Sequence, residues 1–147
     1  MENILDDEYF MRLALKEAKE AFNKDEIPVG AVVVIENRVI ARSHNLTELL
    51  HDVTAHAEMQ CITAAANFLG GKYLKNCTLY VTVEPCPMCA GAIAWAQLGT
   101  LVYGAEDPKK GYTTYCNTLL HPQTLVKKGI LAEECQKLMK DFFRNKR

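Results

Sequence analysis

The sequence contains no long hydrophobic run. No apolar segment of its 147 residues approaches the roughly 20 residues that a transmembrane helix requires. The start of the chain is acidic, and it has neither the basic nor the apolar segment of a secretory signal peptide. These absences argue against a membrane protein and against export, so we expect a cytoplasmic protein.

Net charge is also nearly absent. The chain has 17 Lys and Arg residues against 18 Asp and Glu residues, so its formal net charge is −1. It is therefore not basic throughout, as many nucleic-acid-binding domains are. Clusters of cations occur as two lysine pairs, at 109–110 and 127–128, and in the last eight residues, which hold four cations and one anion. Charge alone leaves two interpretations of the basic end: a solvated helix end or a contact surface for an anionic partner.

The six cysteines do not indicate a disulfide framework, because a chain of this size and apolar content needs no covalent cross-links. Four of them have apolar neighbours: Cys61, Cys77, Cys116 and Cys135. We expect most of these four to be small buried hydrophobic residues.

Hydrophobic periodicity indicates one α/β domain over residues 1–147. Amphipathic or buried helices are predicted at residues 7–23, 55–68, 87–98 and 131–142, with Thr54 as the cap of the second. Strands are predicted at residues 29–35, 39–44, 77–83 and 100–105, with a short one near 125–126. The first two strands suggest an antiparallel hairpin, and the strand–helix–strand unit at 77–105 favours parallel pairing. We therefore predict a three-layer α/β/α sandwich with a mixed sheet of about five strands.

Cys86 and Cys89 form a C-x-x-C pair, which by itself is ambiguous. Such a pair could be a redox couple, half of a structural zinc knuckle, or two core cysteines. The redox interpretation expects a thioredoxin-like context with no histidine ligand, and the knuckle interpretation expects a second C-x-x-C, which the chain lacks.

The segment His56-Ala57-Glu58 changes the interpretation of this pair. Both segments fall at predicted helix starts, where side chains lean toward the amino end and can meet at a shared metal. One histidine and two cysteines leave the fourth position of a tetrahedral zinc open for water, which is typical of a catalytic site. Glu58 would take a proton from that water and return it. H-x-E with P-C-x-x-C is the signature of zinc-dependent nucleobase deaminases, so we predict one catalytic Zn²⁺ per chain.

The chain resembles the bacterial tRNA-specific adenosine deaminases, within the cytidine deaminase-like superfamily. The resemblance extends nearly end to end, through residues 26–34 (EIPVGAVVV), 52–59 (DVTAHAEM), 79–92 (LYVTVEPCPMCAGA), 104–111 (GAEDPKKG), 129–135 (GILAEEC) and 141–144 (DFFR). The zinc motif is common to the superfamily, whereas residues 104–111 and 129–144 are more specific to the tRNA branch.

This resemblance implies a cytidine deaminase-like fold and the conversion of adenosine to inosine at the wobble position of a tRNA anticodon. It implies that His56, Cys86 and Cys89 bind zinc, that Glu58 is the proton shuttle, and that the enzyme is a homodimer. Asn45 matches the asparagine that contacts the flipped nucleotide. Further candidate substrate-binding residues are Pro28, Ala57 and Asp107, and possible contacts to the anticodon stem-loop are Lys109, Lys110, Tyr112, Arg144, Lys146 and Arg147.

One segment departs from the family pattern. Residues 111–118 (GYTTYCNT) replace a stretch of small residues of the Ala-Ala-Gly-Ser type. Tyr112 and Tyr115 could stack on bases or could pack internally. Two alternative functions are kept: deamination of a free base or nucleoside (guanine or cytosine), which shares every zinc residue, and a non-catalytic zinc-dependent RNA-binding subunit, in which the Glu58 carboxylate would not be needed.

Overall fold

The computed structural model describes residues 5–146, in which strands and helices alternate. The strands are β1 (Gly30–Ile35), β2 (Arg38–His44), β3 (Cys77–Val83), β4 (Thr100–Ala105) and β5 (Leu125–Lys128). The helices are α1 (Asp7–Asn23), α2 (Ala57–Leu69), α3 (Pro87–Trp95), α4 (Tyr112–Tyr115) and α5 (Ala132–Arg144).

The five strands form one mixed sheet in the order β2-β1-β3-β4-β5. β1 pairs antiparallel with both β2 and β3, while β3, β4 and β5 are parallel. The predicted hairpin, the parallel pairing at 77–105 and the five-strand mixed sheet are therefore confirmed. This topology brings the start of β1 and the ends of β2, β3 and β4 to one edge of the sheet.

The sheet is covered on both faces, as a three-layer α/β/α sandwich requires. Along β1, Ala31 and Val33 belong to a buried cluster that includes residues of α2 and α3. Val32 and Val34 point the other way, into a cluster that includes residues of α1 and α5. Because successive side chains of a strand point to opposite faces, the continuous apolar run predicted at 29–35 buries both faces of β1.

Two helix boundaries differ from the prediction. Thr54 does not cap α2, because its amide and hydroxyl both donate to the carboxylate of Asp52, at 2.8 and 2.7 Å. The helix begins at Ala57, and His56 is the N-cap in an extended conformation. Helix α3 ends at Trp95 rather than near residue 98, since Gln97 adopts a left-handed backbone with φ of 54°.

All six cysteines are free thiols. Cys61, Cys77 and Cys135 are buried and Cys116 is exposed, so the expectation that most of these four are buried is confirmed. No helix among residues 5–146 is long and apolar enough to cross a membrane.

Candidate active site

The zinc-motif residues lie where two helices begin beside the shared edge of the sheet. His56 and Cys86 are the N-cap residues of α2 and α3, and Cys89 lies in the first turn of α3. Both N-caps have extended backbone and make no capping hydrogen bond with their side chains, so the imidazole and the thiol remain available. The helix N-termini place positive partial charge near both cysteines, which favours their thiolate forms.

Three ligand atoms converge at this point. Nδ1 of His56 lies 3.7 Å from Sγ of Cys86 and 3.5 Å from Sγ of Cys89. Zn–N and Zn–S bonds of about 2.0 and 2.3 Å at a tetrahedral angle would separate the nitrogen and sulfur by about 3.5 Å. The side chains are thus spaced as ligands of one tetrahedral zinc ion, and together they are the His/Cys/Cys group that could hold a metal.

The three candidate ligands differ in their pKa shifts. The hydrogen bond from Cys89 lowers the pKa of Cys86 to about 4, while the neighbouring Cys86 raises the pKa of Cys89 well above its usual range. The hydrogen bond with Cys86 also raises the pKa of His56. One thiolate is therefore formed readily, and a divalent cation would displace the protons from the other two ligands.

Glu58 is the carboxylate at this centre. It lies in the first turn of α2, and only 3 % of it is exposed. Burial raises its pKa to about 7. A carboxyl group that titrates near neutrality suits a residue that must accept a proton and release it again.

A cavity of about 580 Å³ opens onto His56, Glu58 and Cys86. Its volume lies within the range of roughly 300–1,000 Å³ that is typical of small-molecule sites. Gln136, Met139 and Phe143 of α5 line this cavity and also line an adjoining surface groove. The candidate centre is therefore connected to an open surface along the last helix.

Asn45 follows β2 and also lines this cavity. It is buried, and its Oδ1 has no hydrogen-bond partner among residues 5–146. A buried acceptor without a partner costs free energy, roughly 1–3 kcal/mol. Because Asn45 and Glu58 line the same cavity, this oxygen is placed where a bound molecule could donate to it.

Of the other predicted substrate-binding residues, two line the cavity and one does not. Ala57 and Asp107 line the cavity. Pro28 is buried, and the cavity is lined instead by its neighbours Ile27 and Val29.

The predicted cationic contacts also differ from one another. Lys109 and Lys110 line the cavity, and Arg144 lies on the adjoining groove beside Lys140. Lys146 is turned away, because it forms an ion pair with Asp25 and lies over the Phe142 ring. Arg147 lies outside the described residues.

Tyr112 cannot stack on a base in this structure. Only 3 % of it is exposed, and its ring belongs to the buried cluster beneath α2 and α3. The aromatic side chain is taken up by the core, so its assignment as a possible tRNA contact is wrong for this conformation. Tyr115 is exposed, and its hydroxyl donates to the carbonyl oxygen of Lys109.

The sequence analysis did not identify two buried carboxylates that position backbone segments around the site. Glu26 accepts hydrogen bonds from the amides of Glu48 and Leu49, and so holds the turn that follows Asn45. Glu84 accepts from the segment that follows β4. Both lie inside segments that carry the family resemblance. For Glu84, its position directly after the apolar strand β3 was a signal in the sequence that could have identified it.

The chain has a His/Cys/Cys group, a buried glutamate and a cavity at one edge of its sheet. This combination is typical of the zinc-dependent nucleobase deaminases. The comparison with protein families agrees, since a family model described as MafB19-like deaminase matches residues 5–147.

Comparison with individual relatives identifies which family of deaminases the chain is similar to. The tRNA-specific adenosine deaminase of Bacillus subtilis is 47 % identical over 146 residues, which cover 96 % of this chain and 91 % of that protein. A solved structure from work on A-to-I editing by tRNA:A34 deaminases is 45 % identical with a TM-score of 0.82, covering 88 % of this chain and 98 % of the other. The guanine deaminase structure from Bacillus subtilis is 41 % identical with a TM-score of 0.67, covering 69 % of this chain and 66 % of the other. The chain belongs to the family of tRNA-specific adenosine deaminases.

Proposed function

We propose that this protein, a hydrolytic deaminase, converts adenosine to inosine at the wobble position of a tRNA anticodon. The observation that carries the proposal is the nearly end-to-end similarity to tRNA-specific deaminases, at a site where the His/Cys/Cys group and Glu58 meet at one cavity.

The chemistry follows from the site residues. Zinc held by His56, Cys86 and Cys89 would supply a Lewis acid with one position left for water. Glu58 accepts a proton from the attacking water and delivers it to the ring nitrogen next to the reacting carbon. A second proton then passes through the same carboxyl group to the exocyclic amine, which leaves as ammonia. The water oxygen remains on the ring, so adenosine becomes inosine.

Recognition of the nucleoside relies on the cavity wall. The free Oδ1 of Asn45 can accept a hydrogen bond from an N–H or O–H of a flipped nucleoside. Asp107 and the backbone around Ala57 line the same cavity. Unstacking a base costs a few kcal/mol, and these contacts would offset that cost.

The charges around the cavity suit an RNA. Lys109 and Lys110 lie at the cavity wall, and Lys140 and Arg144 lie along the groove of α5. Phosphates of an anticodon stem-loop would be neutralised by these side chains, with release of counterions. Acting on tRNA, the enzyme would work in the cytoplasm.

The alternative is deamination of a free base, and the similarity to a guanine deaminase is the observation that favours it. A direct test incubates the zinc-loaded protein with an anticodon stem-loop and, separately, with adenosine, cytosine and guanine, and measures ammonia. We expect ammonia, and inosine at the wobble position, from the stem-loop alone. Release from guanine without release from the stem-loop would replace the proposed function by the alternative. A subunit that only binds RNA would release no ammonia from any substrate, and the buried Glu58 argues against it.

We also propose that the chain forms a homodimer through the outer face of α3. The helix sequence PMCAGAIAW contains no charged or amide side chain, and helices that are apolar on all sides are normally buried. Met88 and Trp95 nevertheless are exposed, Trp95 at 86 %. A second copy would cover this face. Sedimentation velocity should give a dimer for the protein and a monomer for Trp95→Glu, and a monomeric wild-type protein would contradict the assignment.

A further inference from the structure

Glu84 is a buried carboxylate at the end of β3, with 5 % of its surface exposed. It directly precedes Pro85 and the ligand-motif residue Cys86. Its Oε1 accepts a hydrogen bond from the amide of Asp107 at 3.1 Å. Its Oε2 accepts from the amide and the hydroxyl of Thr113, at 3.0 and 2.7 Å. Burying a carboxylate is costly unless donors surround it, and here all three donors come from one segment.

That segment, residues 106–113, is called the wall segment here because residues 106–110 line the cavity. Asp107 continues the network, since its Oδ1 accepts from the amides of Lys109 and Lys110 at 3.1 and 3.0 Å. The carboxylate of Glu84 therefore holds the Asp107 backbone, and the carboxylate of Asp107 holds the backbone of the basic pair.

The backbone lies tightly against Glu84 at Gly111. A Cβ atom built there would overlap the carboxyl group of Glu84. The next amide, that of Tyr112, donates to the carbonyl oxygen of Pro85 at 2.9 Å. The wall segment is thus attached to the residues directly before Cys86, both through the Glu84 side chain and through the backbone.

We propose that Glu84 is a positioning residue. It fixes the wall segment, and with it Lys109 and Lys110, in place relative to the zinc-ligand turn of Cys86. Thr113 completes the attachment, because its hydroxyl is the third donor to the carboxylate. The consequence is that loosening this attachment weakens substrate binding while the zinc ligands and Glu58 keep their geometry. The inference rests on the proposed function only for the choice of substrate in the assay.

The test replaces Thr113 by Val in the zinc-loaded full-length protein. Thr113 is exposed, so the isosteric change removes the hydroxyl donor without opening the core. Trypsin can cleave after Lys109 and Lys110, and the rate of this cleavage reports how often the wall segment opens. We expect cleavage there to become about three- to tenfold faster. We also expect KM for the anticodon stem-loop to rise by a similar factor, with kcat and zinc content unchanged.

Matched variants distinguish positioning from general destabilisation. Thr113→Ser keeps the hydroxyl and should restore both the cleavage rate and KM. Thr63→Val, on an exposed turn of α2 where the hydroxyl bonds only within its own helix, should resemble the unmodified protein. Glu84→Gln places an amide N–H group against one of the donors. It should therefore raise both the cleavage rate and KM, and by more than Thr113→Val does.

Three results would overturn the inference. The first is an unchanged cleavage rate in Thr113→Val, and the second is faster cleavage with an unchanged KM. The third is a loss of zinc that parallels the rise in KM, which would make the attachment a support of the metal centre. The cleavage measurement needs no substrate, so a wild-type protein that does not deaminate the stem-loop would count against the proposed function alone.

Discussion

Asn45 yields a prediction in which stability and activity respond differently. Its Oδ1 is buried and has no hydrogen-bond partner among residues 5–146. Asn45→Ala therefore leaves no donor of the described protein unsatisfied at this atom. We therefore expect the free energy of unfolding to change by less than about 1 kcal/mol, which is small for a buried position.

The same change should be costly for turnover. If a substrate donor satisfies Oδ1, its loss removes a hydrogen bond worth about 1–3 kcal/mol of transition-state stabilisation, or about 5- to 150-fold in kcat/KM. The assays are urea unfolding of the zinc-loaded protein and deamination of the anticodon stem-loop. Asn67→Ala, at an exposed position of α2, is the matched control and should alter neither. The reasoning is refuted if Asn45→Ala loses several kcal/mol of stability, or if its kcat/KM equals that of the control.

Three further predictions concern the metal, the proton and the charges. Purified protein should contain about one zinc per chain, and Cys86→Ser and Cys89→Ser should lose it. Zinc affinity should rise with pH, because binding displaces protons from the ligands. Full zinc content in the double serine variant would contradict the ligand assignment. Glu58→Gln should retain zinc and RNA binding while turnover falls by about 10²–10⁴-fold, measured as ammonia release, and near-normal turnover would assign the proton transfers to another group. Replacing Lys140 and Arg144 by Gln should weaken stem-loop binding and make its dependence on log salt concentration shallower by about 0.7–0.9 per lost phosphate contact; an unchanged slope would leave these cations as a solvated helix end.

Features determined by neighbouring residues were predictable from the sequence. The apolar run of β1, the amphipathic pattern of α1 and the strand–helix–strand unit at 77–105 were found as predicted, apart from the earlier end of α3. The boundary of α2 was missed, because the carboxylate of Asp52 competes for Thr54 and delays the helix until Ala57. A side chain two residues away thus overrode a helix cap that the residue type favoured.

The candidate centre was predictable for a related reason. Cys86 and Cys89 are separated by less than one helical turn, and His56 and Glu58 by two positions, so each half of the motif is a local pattern. That the two halves meet through Nδ1 of His56 was not predictable, because it depends on how α2 and α3 start beside the same sheet edge.

The sequence by itself determined the elements of the fold and the chemical types at the site, because both are encoded in short-range periodicity and spacing. Only the tertiary structure decided which side chains share a cavity. It buried Tyr112 in the core, turned Lys146 toward Asp25, and brought Glu84 against a segment that begins more than 20 residues later in the chain. The physical reason is that the strand order β2-β1-β3-β4-β5 gathers four strand ends at one edge, and contacts between chain segments so distant carry no periodic signal in the sequence.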